Sequence, residues 1–319
     1  MTPQPETSQS FIGRALRFAL PFLVSGALLA WVLSGVNLRG VLHHVTPTIA
    51  LWLAPTLIVF LIVSLALEAI CLVWVISASH PFRNWIVAAR IKAASYPLGL
   101  VNYALGAGAT AVLLRRRAQM TLTEAAGAIF VIGLFDLGAL IACVLGGMAW
   151  LGTPNMGLRA GLIVLLGLLA AGGLAALRAP ISLGPIDRLR ELEIFHDART
   201  LPISVLLKVA GVRLIFVGVF IMVVGVTLKA FGVDVPIADV TVNTSILLLV
   251  STLPIAVAGI GTGQVVFVAL FDSYADAETL IAASLTLSFG MIVTRAAVGL
   301  AFAREFTAEA LAAQNEEQA

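Results

Sequence analysis

Residues Leu253 to Phe267 read LPIAVAGIGTGQVVF, with glycines at alternate positions, Gly259, Gly261 and Gly263. In a soluble protein such a run suggests a phosphate-cradling loop. Here it follows the apolar run SILLLV and leads into another. Gln264 stands where a dinucleotide loop needs its last glycine, and no acidic residue sits at the required distance. The run therefore reads as irregular backbone inside a hydrophobic segment. Such backbone survives in lipid only where protein surrounds it or water reaches it.

The rest of the chain fits that setting. Of 319 residues, 60% are hydrophobic and 11% charged, and the mean hydropathy is +1.05. A soluble domain carries about 25% charged residues, so the chain reads as an integral membrane protein. A net charge of +2 with no basic tract argues against nucleic acid. Cys71 and Cys143 lie in apolar runs without partners at metal-ligand spacing. No metal site and no cofactor is expected. G-x-S-x-G, H-E-x-x-H and P-loop motifs are absent, so no catalytic residues are assigned. His43, His44, His80 and His196 read as solvated loop residues.

Six runs are long enough to cross, at 14–36, 49–76, 123–151, 157–178, 203–229 and 278–303. Two more regions, 84–114 and 240–271, are each broken by proline and glycine, in YPLGLVNYALGAG and LPIAVAGIGTG. Each is too long for one crossing of about 20 residues and short for two with a turn. Arginine placement decides between the alternatives. With Arg14, Arg17, Arg83, Arg115 to Arg117, Arg178, Arg188, Arg190, Arg199 and Arg304 on the cytoplasmic side, both ends of the first region lie inside. The second region, bounded by Lys229 to Asp239 and by the acidic DSYADAE, has both ends outside. Arg39, His43 and His44 run against this arrangement.

The expected fold is therefore an all-α polytopic membrane protein with about six full transmembrane helices and two re-entrant helical hairpins. Pro97 and Pro254 mark the hairpin breaks, 157 residues apart. That spacing, close to half the chain, predicts an inverted repeat within one membrane domain. A first repeat spans 14–151 and a second, inverted, spans 157–303, with polar tails at 1–13 and 304–319. Discontinuous helices near the midplane are a transporter feature. Half-helix N-termini at the breaks favour anions.

Charged residues in mid-span cost several kcal/mol unless paired, hydrated or able to reach the interface. Lys208 and Arg90 lie near cytoplasmic ends and can snorkel. Arg213, Arg295 and Asp136 are deeper. Asp136 either pairs with an arginine to hold helices together, or leaves an arginine pair facing a cavity that binds lipid phosphate; it can neutralise only one of the two. Glu68 either carries a proton or pairs with Lys92 or Lys208. Asn102, Tyr103, Thr262 and Gln264 hydrogen-bond a headgroup or satisfy unwound backbone.

Two blocks resemble a known family. LVNYALGAGATAVLLRRRAQMTLTEAAGAIFVIGLFDLGALIA carries Gly106, Gly108, Arg115 to Arg117 and Asp136; LPIAVAGIGTGQVVFVALF carries Pro254, Gly259 and Gly261, with Arg295 in the last span. Together they resemble the transmembrane flippase-like region of lysylphosphatidylglycerol synthases, which also occurs as a stand-alone protein. The resemblance implies two-sided re-entrant hairpins and movement of polar-headed lipids across the bacterial cytoplasmic membrane. Phospholipid, polyprenyl and hopanoid-type lipids are the candidate cargoes. The chain departs from the family in lacking the soluble aminoacyl-transferase domain. Gln264 stands where a glutamate is common, and Leu105 and Ala109 lie where the first break has proline and glutamate.

The expectation is a lipid flippase or lipid-transport protein of the inner membrane, with both termini cytoplasmic. Its headgroup site comprises Arg213, Arg295, Asp136, Asn102 and the glycine breaks Gly106, Gly108, Gly259, Gly261 and Gly263 with Gln264. The partners are a lipid substrate and the bilayer, with a homo-oligomer or lipid-synthesis enzymes left open. The alternatives are a membrane-embedded lipid-modifying enzyme of glycosyltransferase type, with Asp136 or Glu68 as base, and a non-transporting scaffold.

Overall fold

The computed structural model describes residues 46–101, 103–151, 157–178, 191–251 and 261–317, and these are helical apart from short connections. The helices are α1 (Pro47–Ile76), α2 (Trp85–Val101), α3 (Tyr103–Arg117), α4 (Leu122–Leu151), α5 (Gly157–Arg178), α6 (His196–Thr200), α7 (Ile203–Ala230), α8 (Ile237–Ser251), α9 (Thr262–Phe271) and α10 (Ala277–Glu317). The expected span at 14–36, the tail at 1–13, Asn102, Pro254 and Gly259 lie outside the described residues.

Among the described residues four helices are long and apolar enough to cross a membrane: α1, α4, α7 and the Ala277–Phe302 part of α10. Side-chain caps close the first turn of two of them. Thr121 and Glu124 form a reciprocal capping box at α4: the Thr121 amide donates to Glu124 Oε2 at 2.6 Å, and the Glu124 amide to Thr121 Oγ1 at 3.2 Å. Asp276 Oδ1 accepts the Thr279 amide at 2.9 Å at the start of α10. Large apolar side chains stay exposed along the long helices, among them Trp52 and Ile62 on α1, Leu207 and Met222 on α7, and Phe289 and Leu300 on α10. In water that surface would be a liability; in a bilayer it is the lipid face.

The two broken regions each become a pair of short helices. α2, α3, α8 and α9 have 17, 15, 15 and 10 residues. At 1.5 Å per residue none exceeds about 26 Å, less than the hydrocarbon thickness of about 30 Å. α2 and α3 fold back on each other so closely that a Cβ on Gly106 would stand 2.6 Å from Gly99 Cα. α8 and α9 run antiparallel, with Asn243 Nδ2 donating to the Leu270 carbonyl at 2.8 Å.

The first break is not at Pro97. That residue lies inside α2, which runs on to Val101. A proline inside a helix removes the bond to the carbonyl four residues back, here Ala93. The helix survives because α10 presents Gly299 at that point: a Cβ there would lie 2.4 Å from Pro97 Cδ and 3.3 Å from Ala93 O. The stretch expected as a polar tail from 304 is helical as far as Glu317, where α10 ends. The segment AREFTAEALAAQNEE holds good helix formers with no glycine or proline to stop it.

Element order recurs along the chain. From Pro47 to Ile203 is 156 residues, from Trp85 to Ile237 152, from Tyr103 to Thr262 159 and from Leu122 to Ala277 155. The packing recurs with it. α2 packs on α10 and α8 on α4; α3 packs on α4 and α9 on α10. Each crossing has its own close approach, Gly299 against Pro97 and Gly147 against Val242, where a Cβ would stand 2.5 Å from Val242 Cγ2. α1 and α7 pack on each other at the centre, where Phe60 meets Phe216 and Phe220 at 6.1 and 5.5 Å between ring centroids.

The glycine contacts give a paired stability test. Gly106→Ala drives a Cβ into Gly99 backbone and should cost about 1–3 kcal/mol. Gly108→Ala, with nothing within 4 Å, should be tolerated. Thermal unfolding in detergent measures the difference; equal midpoints would show that the α2–α3 contact is not tight.

Candidate functional site

Five charged residues of the apolar segments line one cavity of about 630 Å³. Glu68 reaches it from α1, Lys92 from α2, Tyr103 from α3, Asp136 from α4, Arg213 from α7, Ser251 from α8 and Arg295 from α10. The walls between them are apolar, with Leu72, Ile129, Phe216 and Leu248 among the lining residues. A polar cavity between lipid-facing helices is where ionisable residues belong, because the outer faces offer them no partner. Arg213 is ten residues into α7, about 15 Å along the helix at 1.5 Å per residue.

Two networks account for four of the five charges. On one wall Asp136 accepts the Arg213 Nε–H in a close charge-assisted contact. Arg213 is 4% exposed, and its guanidinium lies 4.5 Å from the Phe216 ring centroid, one turn along the same helix. This is the ion pair that joins α4 to α7. On the other wall Glu68 accepts a hydrogen bond from the Tyr96 hydroxyl at 2.9 Å and lies 3.7 Å from Lys92 Nζ. Lys92 and Tyr96 are four residues apart on α2, so both face Glu68 from one side of that helix. Lys208, the other partner considered for Glu68, instead lies 5.8 Å from the Trp74 ring centroid.

Arg295 is different. Among the described residues no carboxylate lies within 4.0 Å of it. Its guanidinium sits over the Tyr96 ring, 5.4 Å from the centroid. A cation–π contact does not use up the N–H donors of a guanidinium, which stay available to an acceptor. Among the described lining residues, Glu68 and Asp136 stand against Lys92, Arg213 and Arg295, an excess of one positive charge.

The described glycines of the breaks, Gly106, Gly108, Gly261 and Gly263, are not among the residues that line this cavity. Gly106 is packed on Gly99, and Gly108 is exposed elsewhere on α3. Gly261 has φ +94°, a conformation that glycine adopts without strain. Its amide donates to Gln264 Oε1 at 2.6 Å, and Gln264 Nε2 donates to Ser288 Oγ at 3.1 Å. Gln264 is fully buried, and its side chain is taken up by the backbone of the break and by α10. Gln264, Gly261 and Gly263 are absent from the cavity wall, and of the expected headgroup residues that are described, Arg213, Arg295 and Asp136 line it. Tyr96 is a member of the site that the sequence reading misses, although its place one turn from Lys92 marks it as a partner in the same network.

The model of the lysylphosphatidylglycerol synthase TM region matches residues 18–299. The chain belongs to that family. No curated protein and no solved structure matches it.

The pairing of Asp136 and Arg213 has a measurable consequence. Asp136→Ala strands a buried guanidinium and should cost about 3–5 kcal/mol. The double replacement Asp136→Leu with Arg213→Met should recover most of that loss, since a hydrophobic pair of similar size removes the stranded charge. Thermal unfolding of the three proteins decides; a double variant no better than the single would show that the two residues do not act as a pair.

Proposed function

We propose, taking that family membership as the premise, that the protein is a flippase or lipid-transport protein of the bacterial cytoplasmic membrane. The headgroup of a polar lipid passes through the cavity while its chains remain in the bilayer. The observation that carries this reading is Arg295, a cation in an apolar helix with no carboxylate within 4.0 Å among the described residues, over the Tyr96 ring at the wall of a cavity. A lipid phosphate supplies the missing anion, held by charge-assisted hydrogen bonds from the guanidinium edge. Arg213 contributes through position, because Asp136 already neutralises it.

In this reading α2–α3 and α8–α9 are re-entrant hairpins that enter from opposite faces. The recurrence of element order supports an inverted repeat. So does the exchange of packing partners, in which each hairpin crosses the last span of the other half. Transport is preferred to catalysis because both deep carboxylates are engaged, Asp136 by Arg213 and Glu68 by Tyr96 and Lys92. Neither is offered to a substrate as a general base.

Reconstitution tests the function. Lipid carrying a fluorophore on a short acyl chain should exchange leaflets faster in liposomes containing the protein than in empty ones. Arg295→Gln should slow exchange at least about tenfold, the loss expected for one charge-assisted contact, with an unchanged unfolding midpoint. Full activity in that variant would remove Arg295 from the path. Topology has its own test. In a protein with Cys71 and Cys143 replaced by serine, a cysteine at Ala104 should label only from the cytoplasm and one at Thr262 only from outside. Labelling of both from one side would rule out opposed hairpins.

A further inference from the structure

Away from the cavity, a second group of titratable side chains gathers where the two halves of the chain are joined. The stretch from Glu191 to Leu201 leads into α7, and holds a 3-10 turn at Glu193–Phe195 followed by α6. This strap is docked on the first turns of α4. The Phe195 ring meets the Phe130 ring edge-on, at 5.3 Å between centroids. A Cβ on Gly127 would stand 2.9 Å from the Ile194 carbonyl oxygen. Ala198 and Leu201 are 0% and 1% exposed and share a core with Met120, Ala125 and Ala128. Phe130 lines the cavity, so the strap bears on the cavity wall through one ring.

We propose that this strap is a pH-sensitive latch, docked on α4 in acid and loosened as pH rises through the range in which histidine titrates. The latch stands on the contacts just described; its effect on leaflet exchange rests on the transport reading above.

Four groups meet at the joint. Glu124 is fixed on α4 by its capping box with Thr121. His80, from the connection between α1 and α2, places Nε2 3.7 Å from Glu124 Oε2. Its Nδ1 is buried without a hydrogen-bond partner, a nitrogen free to take a proton. Asp197 on α6 is 7% exposed, and His196 precedes it. The charged and titratable groups that act on Asp197 are His196, His80 and Glu124, and those that act on Glu124 are His80 and His196. From α5, Arg178 Nη2 donates to the Leu201 carbonyl at 2.5 Å. That guanidinium stays charged throughout and holds the end of the strap at every pH.

The direction follows from the charges. With both imidazoles neutral, Asp197 on the strap and Glu124 on α4 are like charges across the joint. Protonated imidazoles place cations among those carboxylates, and repulsion gives way to attraction. Burial acts in the same sense. It pushes the Asp197 carboxyl above its usual range, against the opposing pull of His196 and His80, so Asp197 binds its proton more readily docked than free. A group that binds protons better in the docked state strengthens docking below its undocked pKa, and that contribution is lost as pH rises through the docked one. Histidines and aspartate therefore both tighten the strap in acid.

The test is cysteine trapping on the purified full-length protein in neutral detergent, with Cys71 and Cys143 replaced by serine. Leu201→Cys reports release of the strap. Thr200→Cys, at an exposed position, gives the reference rate that cancels the pH dependence of the reagent. The ratio of the two rates should rise about fivefold from pH 6 to pH 8, the size expected of two partly exposed histidine–carboxylate pairs. His80→Gln with His196→Gln should label fast at both pH values, and Asp197→Asn slow at both. Hydrogen exchange of amides 192–201 in the unsubstituted protein, corrected for intrinsic rates, should show the same pH response without a core substitution. An equal ratio at both pH values, a higher ratio at pH 6, or an undiminished response in the double glutamine variant overturns the latch. Leaflet exchange in liposomes separates the two readings. Exchange that stays flat from pH 6 to pH 8 while labelling responds overturns the strap's hold on the cavity and leaves transport intact. No exchange at either pH, with labelling responsive, upholds the latch and removes transport.

Discussion

The structure depends on one constraint: a backbone that stops being helical inside hydrocarbon must be covered by protein. Two pairs of short helices, α2–α3 and α8–α9, pack on the long apolar helices as well as on each other. Each takes part of its cover from the other half of the chain. α10 lies along α2 where Pro97 leaves the Ala93 carbonyl without its helical donor, and α4 lies along α8. The glycines at the crossings, Gly299 and Gly147, are small because the opposing backbone and side chains come within the space a Cβ needs. The fold is therefore an exchange of cover between halves, with α1 and α7 packed together at the centre.

The cavity follows from that exchange. Four helices too short to cross leave room in the middle, and seven helices contribute side chains to its wall. Charged groups gather there because the outer faces of the spans are apolar. Their arrangement has three parts: a buried pair between α4 and α7, a looser pair with a hydroxyl between α1 and α2, and one cation over an aromatic ring. The first pair fixes the helices. The second keeps Tyr96 oriented, and Tyr96 in turn supports Arg295.

Much of this is legible in the sequence. Span lengths, the two broken regions and their spacing are properties of hydrophobicity and of proline and glycine positions. They place α1, α4, α5, α7 and the start of α10 within a few residues. Deep charges are equally visible, because nothing else in an apolar segment resembles Arg213, Arg295, Asp136 or Glu68. Partnership is what a sequence cannot resolve. Pro97 looks like a break, and only the packing of Gly299 explains why it is not one. Gln264 looks like a ligand for a headgroup, yet its amide closes on the Gly261 backbone three residues earlier. The glycines mislead for a related reason: glycine permits both open loops and tight contacts, and only three-dimensional neighbours say which. The choice between an arginine pair and an ion pair likewise turns on which arginine Asp136 can reach.

One helix has a mechanical role that its length alone does not announce. Along α10, Ser288 accepts the hydrogen bond from Gln264 of the second hairpin, Arg295 stands at the cavity, and Gly299 seats Pro97 of the first hairpin. From Ser288 to Gly299 is eleven residues, about 16 Å of rigid rod at 1.5 Å per residue. Both hairpins are thus pinned to one lever, with Arg295 between the two pins. A rigid-body tilt of either hairpin must either drag this rod or shear a contact that has no slack. The cavity's cation cannot stay fixed while the two hairpins move.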